Sequence, residues 1–131
     1  MSLQIVVVTP EKTTLDQQVD SVTLPMFDGE RGIHRGHAPL IGRLGPGELR
    51  SVNGSQVNKY YVDGGFVQVS NDVVSVLTGR SIPVAEIDLS AARLELEAAE
   101  REPAANSDLM ELKQKAIAQA KAQIRMAENN G

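Results

Sequence analysis

Cysteine and tryptophan are absent from the 131 residues, and aromatic rings are limited to two phenylalanines and two tyrosines. Without cysteine there is no disulfide framework and no thiolate metal site, which fits a reducing compartment. With so few rings, a core has to be assembled from Val, Leu and Ile. No apolar run approaches the roughly 20 residues that cross a bilayer, and Met1–Val8 lacks the basic and apolar regions of a signal peptide. A soluble chain is expected, with any membrane association made through a partner. An excess of basic charge is also missing. The net charge is −4: residues 1–85 carry 7 basic and 8 acidic groups, 86–102 carry 2 and 6, and 103–131 carry 4 and 3. Nucleic acid is therefore not an expected partner, because its binders present a net basic face.

What is present reads as two parts. Leu3–Thr9 is rich in β-branched residues and forms a first strand that stops at Pro10. Val19, Val22 and Leu24 mark another strand, running out at Pro25–Gly29, and Leu40–Leu44 is a short one closed by Gly45-Pro46-Gly47. Asn53-Gly54 and Asn71-Asp72 predict two-residue hairpin turns, since these residue types tolerate positive φ. Many short strands at close spacing predict a β-sandwich or flattened barrel of antiparallel strands over residues 1–85. The period then changes. Over residues 86–131, Asp88 or Ser90 can cap a helix carrying Leu89, Ala92, Leu96 and Ala99 on one face, until Pro103 ends it. Ser107 with Asp108 caps a second helix, in which Leu109, Leu112, Ala116, Ala120, Ile124 and Ala127 repeat at three- and four-residue steps. Few large apolar residues support this hairpin, so it is expected to dock on the sandwich or on a partner.

Between Gly29 and Pro39 fall three glycines, two histidines and a proline. This predicts a structured surface loop that fixes His37 where loop meets sheet. The chemistry available there is slight. His34 and His37 are the only histidines, no serine sits in a strand–elbow–helix context, and no further His or Cys completes a metal set. No Gly-Lys-Ser/Thr follows any glycine cluster, so these glycines are turn residues rather than a phosphate cradle. An enzyme is not expected. The residues alone reach no further than a soluble β-rich domain with a helical tail, for which one role is a stand-alone β-sandwich binding module with a helical dimerisation tail.

Three stretches carry a family resemblance. They are Gly29-Glu30-x-Gly32-Ile33-x-x-Gly36-His37-Ala38-Pro39-Leu40, then Gly45-Pro46-Gly47-Glu48-Leu49-Arg50, then Tyr61-Val62-Asp63-Gly64-Gly65-Phe66-Val67-Gln68-Val69. In these motifs, their order and their spacing to a two-helix tail, the chain resembles the epsilon subunit of the bacterial and chloroplast F-type ATP synthase. The resemblance implies a ten-stranded β-sandwich and a C-terminal α-helical hairpin in the rotor of a proton-translocating complex. The implied partners are the gamma subunit and the c-subunit ring, with Glu30 and His37 at the c-ring contact. It also implies that the hairpin can extend into the alpha/beta catalytic hexamer and block ATP hydrolysis, with Lys113, Lys115, Lys121 and Arg125 meeting acidic surfaces there. The implied place is peripheral, on the cytoplasmic face of the plasma membrane, without direct insertion.

Two departures change what is carried over. Arg35 stands where the family motif has proline, preceded by His34, which adds positive charge near Glu30. Some relatives bind ATP as a regulatory ligand through Ile/Leu-Asp-x-x-Arg-Ala at the opening of the first helix. Here the aligned residues are Leu89-Ser90-Ala91-Ala92-Arg93-Leu94, which retain Arg93 and lose the aspartate and the final alanine. The expectation is no cofactor and no tight ATP site.

Overall fold

The computed structural model describes residues 3–130. The chain divides into two compact units, Met1–Pro83 and Val84–Gly131. The first contains ten strands: β1 Leu3–Val8, β2 Thr13–Val19, β3 Ser21–Met26, β4 Gly29–His34, β5 Leu40–Leu44, β6 Gly47–Asn53, β7 Gln56–Val62, β8 Gly65–Ser70, β9 Val73–Leu77 and β10 Ser81–Pro83. They form one sheet in the order β10-β7-β6-β3-β5-β8-β9-β1-β2, with β4 attached to β3. β3 makes the fold possible. It pairs with β6 through Ser21–Thr23 and touches β5 at Met26↔Leu44, so one strand joins the two layers at a corner.

Period-two alternation builds the core. Along β1, Leu3, Ile5 and Val7 are buried while Gln4, Val6 and Val8 are half-buried. Val22, Leu24, Ile33, Leu49, Val62, Val67, Val69, Val74 and Val76 complete the packed interior. This is the aliphatic core that the shortage of rings demanded.

The sandwich is as expected from the sequence, with local corrections. One pair is not antiparallel: β1 runs parallel to β9, in the register Gln4↔Val73 to Val8↔Leu77. Residues 29–34, expected as loop, form strand β4, because the whole run from Ser21↔His34 to Met26↔Gly29 pairs with β3. The Asn71-Asp72 turn is as expected, with φ of 52° and 61° at its two residues. The other turn is displaced by one residue. Asn53 pairs with Gln56, so the loop is Gly54-Ser55, with positive φ at Gly54 and not at Ser55. That is the pattern of a type II′ turn, which asks for glycine at its first position.

The second unit begins with a single 3-10 turn at Val84–Glu86 and contains α1 Leu89–Arg101 and α2 Ser107–Asn130. Asp88 caps α1, its Oδ1 accepting the Ala91 amide at 3.0 Å. The cap of α2 is Asn106 rather than Ser107, with Oδ1 accepting the Leu109 amide at 2.8 Å. A short connection turns α2 back along α1, and Gln123 Nε2 donates to Glu95 Oε2 at 3.2 Å.

A candidate docking surface

Glu30 lies on β4, whose only strand partner among the described residues is β3. Every β4 residue except Ile33 is exposed. Arg50, on β6 across β3 from β4, donates to Glu48 Oε2 at 2.7 Å and has Glu30 Oε2 at 3.6 Å. One guanidinium therefore faces two carboxylates, and Lys59 stands across from Arg50 on β7. The Glu30 side chain remains 61% exposed, open to a further cation.

His37 lies in the loop beyond the other end of β4. Its amide donates to the His34 carbonyl at 3.1 Å, and its Nδ1 is 2.6 Å from the Ala38 carbonyl. A carbonyl only accepts, so Nδ1 carries the hydrogen and Nε2 of the neutral ring is the acceptor. Gly36, with φ of +81°, donates its amide to Asp72 Oδ1 at 2.7 Å. Glu30 and His37 are thus not one cluster. The four steps from Glu30 to His34 alone cover about 13 Å of strand, so the two residues bracket β4.

A second surface was not legible as a site. Arg43 and Phe66 are cross-strand neighbours, as are Phe66 and Leu77, and Ile41 shares their face two residues from Arg43. Ile41 is 79% exposed, Phe27 70%, and Phe66 and Leu77 more than half. The Arg43 guanidinium lies 4.7 Å from the centre of the Phe27 ring, an attractive cation–π arrangement. Beside it a concavity of about 350 Å³ is lined in part by Met26, Phe27, Arg31 and Ile41. Large apolar side chains held together on an outer sheet face mark an interaction surface. The available signal was apolar residues at both parities: Leu40 and Ile41 in β5, Phe66 and Val67 in β8.

The Tyr61 side chain is fully buried and its hydroxyl donates to Asp63. Arg80 Nε donates to Asp63 Oδ2 at 3.0 Å, with its guanidinium 5.6 Å from the centre of the Tyr61 ring. Burial pushes the Tyr61 phenol far up, reinforced by the Asp63 hydrogen bond and charge and opposed by Arg80. Burial also raises the Tyr60 phenol. Each phenol is neutral at physiological pH, and the Tyr61–Asp63–Arg80 group acts as a brace between β7 and β10.

On the helices, Lys113 is half-buried beside a groove of about 420 Å³ that Glu95, Ala99, Glu102, Leu109 and Leu112 also line. Lys115, Lys121 and Arg125 are exposed. At 100° per residue these three share an arc of about 120°, with Lys113 about 80° outside it. Arg93 is exposed on α1. Among the described residues no group of three His, Asp or Glu side chains is arranged to hold a metal ion, and no helix is long and apolar enough to cross a membrane.

An aliphatic sandwich with an exposed edge strand and an apolar outer face, followed by a helical hairpin, presents surfaces suited to docking. Residues 2–84 match the family model for the beta-sandwich domain of the ATP synthase Delta/Epsilon chain. The chain is 50% identical over 125 residues to the ATP synthase epsilon chain of Rhodopirellula baltica, covering 95% of this chain and 98% of that one. It is 37% identical to the epsilon chain of Myxococcus xanthus, covering 93% and 92%. A third relative, from Propionigenium modestum, is named as sodium ion specific and is 30% identical, covering 97% and 94%. The chain belongs to the ATP synthase epsilon chain family. The fold is shared with a chain in the cryo-EM structure of the Euglena gracilis mitochondrial ATP synthase with its c-ring, at TM-score 0.79 and 23% identity, covering 92% of this chain and 78% of that one. It is shared also with a chain of the Tetrahymena thermophila mitochondrial central stalk and c-ring, at TM-score 0.77 and 14% identity, covering 97% of each.

Proposed function

We propose that this chain is the non-catalytic epsilon subunit in the rotor of a proton-translocating F-type ATP synthase, coupling gamma to the c ring. The observation that carries the reading is its match to bacterial epsilon chains over almost the full length of both. The task of such a subunit is mechanical. Torque passes through the sandwich only if it grips two partners at once, and the two exposed surfaces provide for that.

Gamma is assigned to the apolar face of Ile41, Phe66 and Leu77, where burial gives a grip that salt does not weaken. The c ring is assigned to β4. A strand lying lengthwise on a ring of repeated polar loops presents Glu30 at one end and His37 beyond the other, with the carboxylate facing a basic loop. In the inhibitory state the second helix extends into the alpha/beta hexamer and sets Lys115, Lys121 and Arg125, with Lys113 on its flank, against acidic surfaces. ATP is not assigned as a ligand, and Arg93 alone does not make a site. The subunit's place is peripheral, on the cytoplasmic face of the membrane.

Co-elution tests the assignment. The chain is mixed with the catalytic core of its own organism, stripped of this subunit but retaining gamma, and run by size exclusion. Stoichiometric co-elution is expected. Elution of the chain alone as a homodimer would replace the rotor reading with that of a binding module carrying a dimerisation tail.

A further inference from the structure

We infer that Asp72 is a positioning residue: its carboxylate anchors the 35–39 loop and thereby sets His37 for docking. The functional half of this inference rests on the c-ring assignment above; the anchoring half does not. Asp72 ends the β8–β9 turn with φ of 61°, and its neighbour Asn71 has φ of 52°. That left-handed geometry is one that Asp and Asn tolerate better than other side-chain-bearing residues. The residue makes two contacts at once. Its backbone carbonyl accepts the Gln4 amide at 2.8 Å, tying the turn to the start of β1. Its Oδ1 accepts the Gly36 amide at 2.7 Å, a charge-assisted bond across 36 positions of sequence.

Gly36 needs such a holder. Its φ of +81° is open to glycine, and a Cβ there would meet nothing within 4 Å, so no neighbour packs against that side of it. The residue before it is Arg35, which leaves φ free where a proline would fix it. The other bonds to His37 come from nearby in sequence: its amide donates to the carbonyl of His34, the last residue of β4, and its Nδ1 faces the Ala38 carbonyl. They hold His37 against the end of β4. The Gly36–Asp72 bond ties the same loop to the β8–β9 turn as well, so the loop is fixed to a second part of the sheet.

Two variants separate the carboxylate from the turn. Asp72→Gly removes the acceptor and accepts positive φ without strain; Asp72→Asn keeps both the turn geometry and a neutral acceptor. The first readout is amide hydrogen exchange at Gly36 in the full chain. Asp72→Gly is expected to speed it at least about tenfold, as the loss of a bond to a charged group implies, and Asp72→Asn to restore most of the protection. Unchanged exchange in Asp72→Gly, with the far-ultraviolet dichroism intact, would overturn the anchor. The second readout is affinity for the c ring carrying gamma, expected to fall about tenfold in Asp72→Gly and to recover in Asp72→Asn. A loosened loop with unchanged affinity would overturn the positioning role. Failure of the unaltered chain to bind would overturn the rotor reading instead, with Gly36 exchange still deciding the anchor.

Discussion

The Tyr61 hydroxyl, buried and donated to Asp63, ties folding to alkaline pH. Its pKa lies above that of a free phenol, so the folded chain keeps a proton that the unfolded chain loses. The stabilisation is complete below about pH 10 and is lost as pH rises above it, at about 1.4 kcal/mol per pH unit. Urea unfolding at about pH 9 and pH 11 should show stability falling by about 1.4 kcal/mol through Tyr61, with a further loss from Tyr60, and Tyr61→Phe should remove the Tyr61 share while lowering stability at pH 9. Gly65 gives a second test. With φ of +121°, a Cβ there would come within 2.0 Å of the Leu77 carbonyl oxygen. That oxygen is backbone and cannot swing away, so Gly65→Ala should cost about 3 kcal/mol or more, read by thermal unfolding.

Elements were legible in the sequence where one interaction dominates. The alternation of β1 and the two-residue Asn71-Asp72 turn each follow from a local rule. β4 was not legible, because Gly-Glu-Arg-Gly-Ile-His has one core residue and two glycines. It is a strand because β3 lies beside it, a long-range fact that no local pattern carries. The Gly54-Ser55 turn was misplaced by one residue for a similar reason. The Gly54 amide is held by Asp20 Oδ2 at 2.7 Å, from 34 residues upstream. The α2 cap was missed because Asn106, Ser107 and Asp108 are all capping types and only geometry chooses among them. Asn106→Ala should therefore lower the stability of the helical unit by about 1 kcal/mol, whereas Ser107→Ala should leave it near that of the natural chain, both by helical dichroism against temperature. At the ring contact, Glu30→Lys replaces the carboxylate beside Arg50 with a like charge. It should weaken c-ring binding about tenfold at low salt, with the deficit shrinking as salt rises.

For the whole molecule, separate units imply separable tasks. A chain ending at residue 84 contains the whole matched sandwich domain, and should bind gamma and the ring while failing to inhibit ATP hydrolysis, measured on the stripped complex. Ile41→Asp should instead weaken docking of the sandwich itself. It leaves the core untouched, since Ile41 is 79% exposed, and should lower affinity for gamma about a hundredfold, as the loss of an apolar contact and the burial of a charge imply. The docking face itself was hidden from the sequence. An apolar residue on the wrong parity looks like noise until the register Arg43↔Phe66↔Leu77 places three strands' worth side by side.

The parallel pairing of β1 with β9 has a consequence in time. Gln4 and its partner Val73 are 69 positions apart, so the first strand made has to wait for almost the whole sandwich to be synthesised. At roughly 5–20 residues per second, that wait is several seconds. Throughout it, β1 lacks its β9 partner, and the strand that carries Leu3, Ile5 and Val7 is paired with β2 alone. A nascent chain stalled before β9 should accordingly be a client for chaperones, and one released after Leu77 should not.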